Sequence, residues 1–322
     1  MAADNPKKKH WSGSGQLRGG RWGIWFFITA LRVFGLRITY LLALPPAAYF
    51  SFASPDVAAT MDFHRRIFGP LPWWKRRWFV FKHFFSFGRA LIDRTAILAG
   101  NKKPFTFFFD GEKHLRAALA EGRGVLLLTA HVGNWEAGGQ LLARLDTPVT
   151  VTGFDNEVPA IRLLLDSAAN AKFRLLPLTG SPTDIIPLMA ALRRGEVVAM
   201  LGDRSYGSPS ARLPFLGSPA AFPVGAYVLA AMAGAPLVHA FSQREPGGHY
   251  RFFGFPPQHL ELPARNERDA YLKNCAGDFA RNLETVIRRD PFQWYNFYSF
   301  WELAEPPRLT PKPKPELLCP SR

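Results

Sequence analysis

The stretch that decides the fold is "GVLLLTAHVGNWEAGGQLLAR", Gly124 to Arg144. Val125 to Leu128 form an unbroken aliphatic run with no polar face, which predicts a short strand buried on both sides. The run stops at Thr129, Ala130 and His131, and Glu136 opens a segment whose composition suits a helix. The same alternation continues down the chain. Predicted strands are 124–130, 148–154, 174–178, 196–203, 235–243 and 250–255, and predicted helices are 113–121, 136–144, 158–171, 183–194, 224–232 and 267–288. Strands separated by helix-length segments imply an α/β fold, with a mostly parallel central sheet and helices on both faces. His131 then falls at the carboxyl end of a strand, the rim where ligands bind and catalytic groups collect in open α/β sheets.

Outward from this core the organisation is set by composition. Residues 1–21 are polar, Gly-rich and basic and form an arm without a core. Residues 22–54 are apolar over the length of one membrane span, although Arg32, Arg37 and the Pro45-Pro46 pair interrupt them. They are read as a membrane-anchoring helical segment, either a tilted span or a helix pair lying in one leaflet. Residues 55–104 interleave Trp73, Trp74, Trp78, Phe79 and Phe81 with Lys75, Arg76, Arg77 and Lys82. That composition suits the headgroup layer of a bilayer, and equally a helix packing its aromatic face on the main domain. Residues 105–305 are read as the α/β domain, and 306–322 as a Pro-rich basic tail.

A formal charge of +15 in 322 residues implies an anionic partner. The aromatic richness, 28 Phe among it, favours lipid over nucleic acid, for which no zinc-finger, RRM-like or helix-turn-helix pattern is present. Cys275 and Cys319, with no CxxC spacing, exclude a disulfide framework and a Cys-rich zinc site.

Two motifs carry chemistry. In "HVGNWE", His131 on the loop and Glu136 in the first helical turn can meet, so that a carboxylate fixes the imidazole tautomer and the other ring nitrogen takes a proton from a hydroxyl. A buried histidine bonded to backbone accounts for the same residues equally well. In "MLGDRSYG", Asp203 and Arg204 end another apolar strand and face the same crevice if the strands are neighbours, or else form a surface turn. Ser205 and Ser218 lack a GxSxG context, and no HExxH motif is present, so neither a serine hydrolase nor a metal site is expected.

"AHVGNWE" resembles the HxxxxE signature of the lipid A biosynthesis (lauroyl/myristoyl) acyltransferase family, within the wider lysophospholipid and glycerolipid acyltransferase superfamily. "GDRSYG" followed by "LPFLGSPAAFPVGA" is similar to that family's second block, and with the N-terminal apolar segment the likeness covers nearly the whole chain. The resemblance implies transfer of a fatty acyl group from an acyl carrier protein or coenzyme A thioester to a hydroxyl of a lipid acceptor, without another cofactor. It further implies a bacterial inner-membrane location with the catalytic domain facing the cytoplasm, the bilayer and acyl carrier protein being the partners. By carry-over His131 is the general base, Glu136 its orienter and Asp203 a residue shaping the site. Gly133, Asn134, Trp135 and Arg204 line it, with backbone N–H groups near Gly133 and Asn134 serving a developing oxyanion. Arg162 and Arg174 are both candidates for an arginine that family members carry between the two blocks. "DPFQWYNFYSFW", Asp290 to Trp301, lacks the Arg and Lys usual near this end. It is read as core packing or as a wall of the site, and it leaves open another lipid or a secondary-metabolite acceptor. A non-catalytic lipid-binding scaffold, and a hydrolase using the same residues on water, are the rival readings.

Overall fold

The computed structural model describes residues 20–98, 100–101, 103–135, 147–154, 173–179, 181–205 and 208–301. Helices α1 (Gly20–Leu42), α2 (Leu44–Ala53), α3 (Val57–Phe68) and α4 (Trp73–Leu98) come first. Then follow β1 (Thr106–Asp110), α5 (Glu112–Ala120), β2 (Val125–Thr129), β3 (Val149–Phe154), β4 (Phe173–Leu178), α6 (Ile185–Arg193) and β5 (Val197–Leu201). The chain continues through β6 (Ser210–Phe215), β7 (Ser218–Pro223), α7 (Gly225–Ala233), β8 (Leu237–Glu245), β9 (His249–Gly254) and α8 (Arg268–Arg289).

Seven of these strands form one sheet in the order β1-β9-β8-β2-β5-β3-β4. It is parallel from β8 to β4, and only the β9–β1 edge runs the other way. The aliphatic run that predicts β2 is buried throughout because alternate residues enter different cores. Leu126 and Leu128 pack with Phe241, Phe279 and the α6–α8 helices, whereas Val125 and Leu127 pack with Leu115 and Ala118 of α5. Both faces are therefore covered, as a parallel sheet requires.

Two elements differ from the sequence reading. Thr106–Asp110 is a strand, held at the edge by β9 alone. The segment read as a loop wall after Asp203 is a two-stranded antiparallel hairpin, β6–β7, with Phe215 and Phe222 buried against Trp294 and α8. The predicted helices 136–144 and 158–171 lie outside the described residues.

Phe26–Ala53 is 28 residues long and apolar enough to cross a membrane, a candidate anchor. The helix breaks at Gly35, whose φ of 71° leaves the helical region. Val33, Phe34, Ile38 and Leu41 of α1, Tyr49 and Phe52 of α2, and Trp73, Trp74 and Trp78 of α4 all expose their side chains. Farther along α4, Val80, His83 and Phe84 are buried, so this helix both offers aromatic rings outward and packs on the domain.

Candidate active site

His131 and Asp203 reach the site from adjacent strands. Thr129 of β2 is in register with Leu201 of β5, and the Gly202 N–H donates to the Thr129 carbonyl at 2.8 Å. Two residues beyond each strand, at the same carboxyl rim, the side chains meet. His131 Nδ1 lies 2.8 Å from Asp203 Oδ1, and the His131 backbone N–H donates to Oδ2 at 3.0 Å. The Trp294 indole N–H completes the carboxylate at 3.0 Å from Oδ2.

Asp203 is almost wholly buried, and burial by itself would raise its pKa. The His131 ring beside it and its hydrogen bonds, with the nearby Arg204, overcome that and hold the carboxyl down to about 2. An ionised acceptor on Nδ1 fixes the proton there, so proton exchange with a substrate falls to Nε2. Among the described residues the side chain that orients the imidazole is Asp203, the residue expected only to shape the site. Glu136, expected in that role, lies outside the described residues.

The loop carrying His131 is clamped by residues 290–301. Val132 forms an antiparallel bridge with Trp294, the Tyr295 N–H donates to the His131 carbonyl at 2.8 Å, and the Gly133 N–H donates to the Gln293 carbonyl at 2.8 Å. Gln293 in turn exchanges hydrogen bonds with both backbone groups of Arg244 on β8, each at 2.7 Å. Gly133 is required here because its φ is 59° and a Cβ would sit 2.3 Å from the Ser242 carbonyl oxygen. These contacts correct one expectation. The Gly133 N–H is spent on Gln293 and is not available to an oxyanion.

The other sequence candidates are distributed unevenly. Asn134 is buried beside the site. Trp135 is half-buried in a helical turn just beyond. Arg204 is buried beside Asp203, donating from Nη2 to the Tyr295 carbonyl at 3.2 Å and lying 5.7 Å from the Tyr298 ring centre. Arg174 is not brought to this rim. It is exposed near the amino end of β4 and pairs at 3.6 Å with Glu196, just before β5, at the opposite end of the parallel strands. Arg162 lies outside the described residues. Among the described residues no group of three or more His, Cys, Asp or Glu side chains converges to hold a metal ion.

A model of the bacterial lipid A biosynthesis acyltransferases matches residues 14–302. The chain belongs to that family. This acyltransferase-family chain is 29% identical over 195 residues to a phosphatidylinositol mannoside acyltransferase of Mycobacterium tuberculosis (strain CDC 1551 / Oshkosh), covering 59% of this chain and 58% of the relative. It is 27% identical over 193 residues to a protein of the same name from Mycolicibacterium smegmatis, covering 58% and 60%. It is 28% identical over 189 residues to the lipid A biosynthesis lauroyltransferase of Escherichia coli (strain K12), covering 57% and 60%. The alignments thus span less than two thirds of these curated relatives.

The reading of 290–301 as core packing or a wall of the site does not single out Gln293 or Trp294. Trp294 is core, its ring having no exposure. The available signal was Gln293 within a run of aromatics, a polar side chain that burial obliges to find partners.

Proposed function

We propose that this protein is a membrane-associated O-acyltransferase that moves a fatty acyl group from an acyl carrier protein or coenzyme A thioester to a hydroxyl of a glycolipid acceptor. The observation that carries this reading is the His131–Asp203 pair at the carboxyl rim of β2 and β5. Neutral His131, its Nδ1–H donated to Asp203, takes the acceptor hydroxyl proton at Nε2 as the oxygen attacks the thioester carbonyl. The tetrahedral intermediate collapses with loss of thiolate, and the imidazolium returns the proton to sulfur. Asp203 stays ionised and stabilises the imidazolium between these steps. A thioester is already activated, so no acyl-enzyme is needed.

A glycolipid acceptor is supported by the names of the relatives, which join phosphatidylinositol mannoside and lipid A chemistry. Location at a bacterial inner membrane, with the catalytic domain toward the cytoplasm, is supported by the apolar Phe26–Ala53 segment and the exposed tryptophans beside Arg76 and Arg77. With the basic arm and the domain on one side, the anchor enters and leaves the same leaflet.

The test is mass spectrometry of lipid extracts from cells carrying no protein, the wild type or His131→Ala. A lipid heavier by one acyl group, made only by the wild type, is expected. An identical lipid profile for wild type and His131→Ala would refute the reading in favour of a scaffold, and acceptor-independent release of fatty acid would refute it in favour of a hydrolase.

A further inference from the structure

We propose that Trp294 is a positioning residue of the acyl-transfer site, its indole N–H fixing the Asp203 carboxylate so that His131 is held in its working orientation. The inference rests on the function proposed above. Among the described residues Asp203 accepts three side-chain-directed hydrogen bonds, and two of them come from His131 itself. The His131 backbone N–H ties the carboxylate to the loop, and Trp294 supplies the one side-chain bond to it from outside the pair among the described residues.

Trp294 is built to do this rigidly. Its ring is met edge-on by Phe63, Phe215 and Phe300 at 5.1, 5.5 and 5.2 Å between centres. Its carbonyl accepts from His83 Nε2 at 3.0 Å, and His83 Nδ1 accepts from His64 at 3.1 Å. Its backbone bridges Val132, next to the base. One residue therefore locates both the main chain and the carboxylate partner of His131. With no exposure, its N–H cannot be replaced by water.

The test replaces Trp294 with benzothienylalanine, an isostere bearing sulfur in place of the N–H. Trp301 receives the same replacement as a control, because its indole donates to the Phe215 carbonyl in the same aromatic cluster and not to the pair. Proton NMR of the full chain in detergent follows the downfield ring N–H signal that His131→Ala abolishes. At position 294 the signal is expected to move upfield and exchange faster with water, and the acylated lipid to fall about tenfold or more, the worth of a hydrogen bond to a charged group. At position 301 both are retained. An unmoved signal with full lipid yield at 294, or equal changes at 294 and 301, overturns the proposal. Should His131→Ala leave the lipid profile intact, the acyltransferase reading fails by itself, while the NMR comparison still decides whether Trp294 sets the pair.

Discussion

Asp93 on α4 and Arg244 on β8 form a buried ion pair, Nε to Oδ2 at 2.7 Å, joined by the Tyr40 and Tyr250 hydroxyls. Tyr40 belongs to the apolar candidate-anchor helix, Tyr250 to the sheet, and the backbone of Arg244 holds Gln293. Removing the carboxylate leaves a guanidinium without its counter-charge in the interior. Asp93→Ala is expected to cost about 3–5 kcal/mol in chemical denaturation, and Tyr40→Phe about 1 kcal/mol.

The proposed catalytic pair, His131 and Asp203, responds differently. Asp203→Asn keeps the shape of the side chain but removes the charge that stabilises an imidazolium, so activity should fall by about two to four orders of magnitude. Circular dichroism should show the fold retained. A variant with near wild-type turnover would remove Asp203 from the mechanism.

Acid should destabilise the protein through His64 and His83. Burial, with His83 beside it, pushes His64 down to about 2. Burial also takes His83 to about 4, although its bond to the Trp294 carbonyl pulls the other way. Both rings stay neutral in the fold, while the unfolded chain binds protons near pH 6.5. Their contribution is therefore complete above that value and is lost as pH falls from 6.5 toward 4. His64→Phe should flatten the dependence of the unfolding midpoint on pH across this window by about one proton's worth of slope.

Gly133→Ala should be damaging although it adds one methyl group. The left-handed φ and the 2.3 Å approach to the Ser242 carbonyl force the loop to move, at a cost of at least about 1 kcal/mol. Because His131 is two residues away, loss of lipid product should exceed what the fall in thermal midpoint explains.

The outward rings of α4 and α2 give a binding prediction. Trp73, Trp74 and Trp78 are exposed, and Arg77 lies 5.3 Å from the Phe52 ring centre. Replacing the three tryptophans by Ser should weaken sedimentation with phosphatidylglycerol vesicles at all salt concentrations. Replacing Arg76 and Arg77 by Gln should weaken it chiefly at low salt.

The sheet was legible because Val125–Leu128 and Val197–Ala199 are aliphatic without interruption, a pattern that parallel strands buried on two faces impose. His131 and Asp203 were legible for the same reason, each being the first ionisable residue after such a run. Their pairing was not, since adjacency of β2 and β5 is a property of topology and no spacing along the chain encodes it. The β6–β7 hairpin escaped because Pro214, Pro219 and Pro223 mark its segments as loop, whereas a two-stranded ribbon has outer edges that tolerate proline. The stretch 290–301 read as packing or as a wall of the site because aromatic side chains declare burial, while the indole N–H and backbone groups that hold His131 and Asp203 leave no trace in composition.

The clamp formed by residues 290–301 also orders events during synthesis. The helices that expose apolar rings and the histidine of the proposed site are translated well before Gln293, Trp294 and Tyr295, and chains fold from the amino end as they emerge. A chain interrupted before Gln293 therefore carries His131 without the backbone and indole bonds that place it and its carboxylate partner.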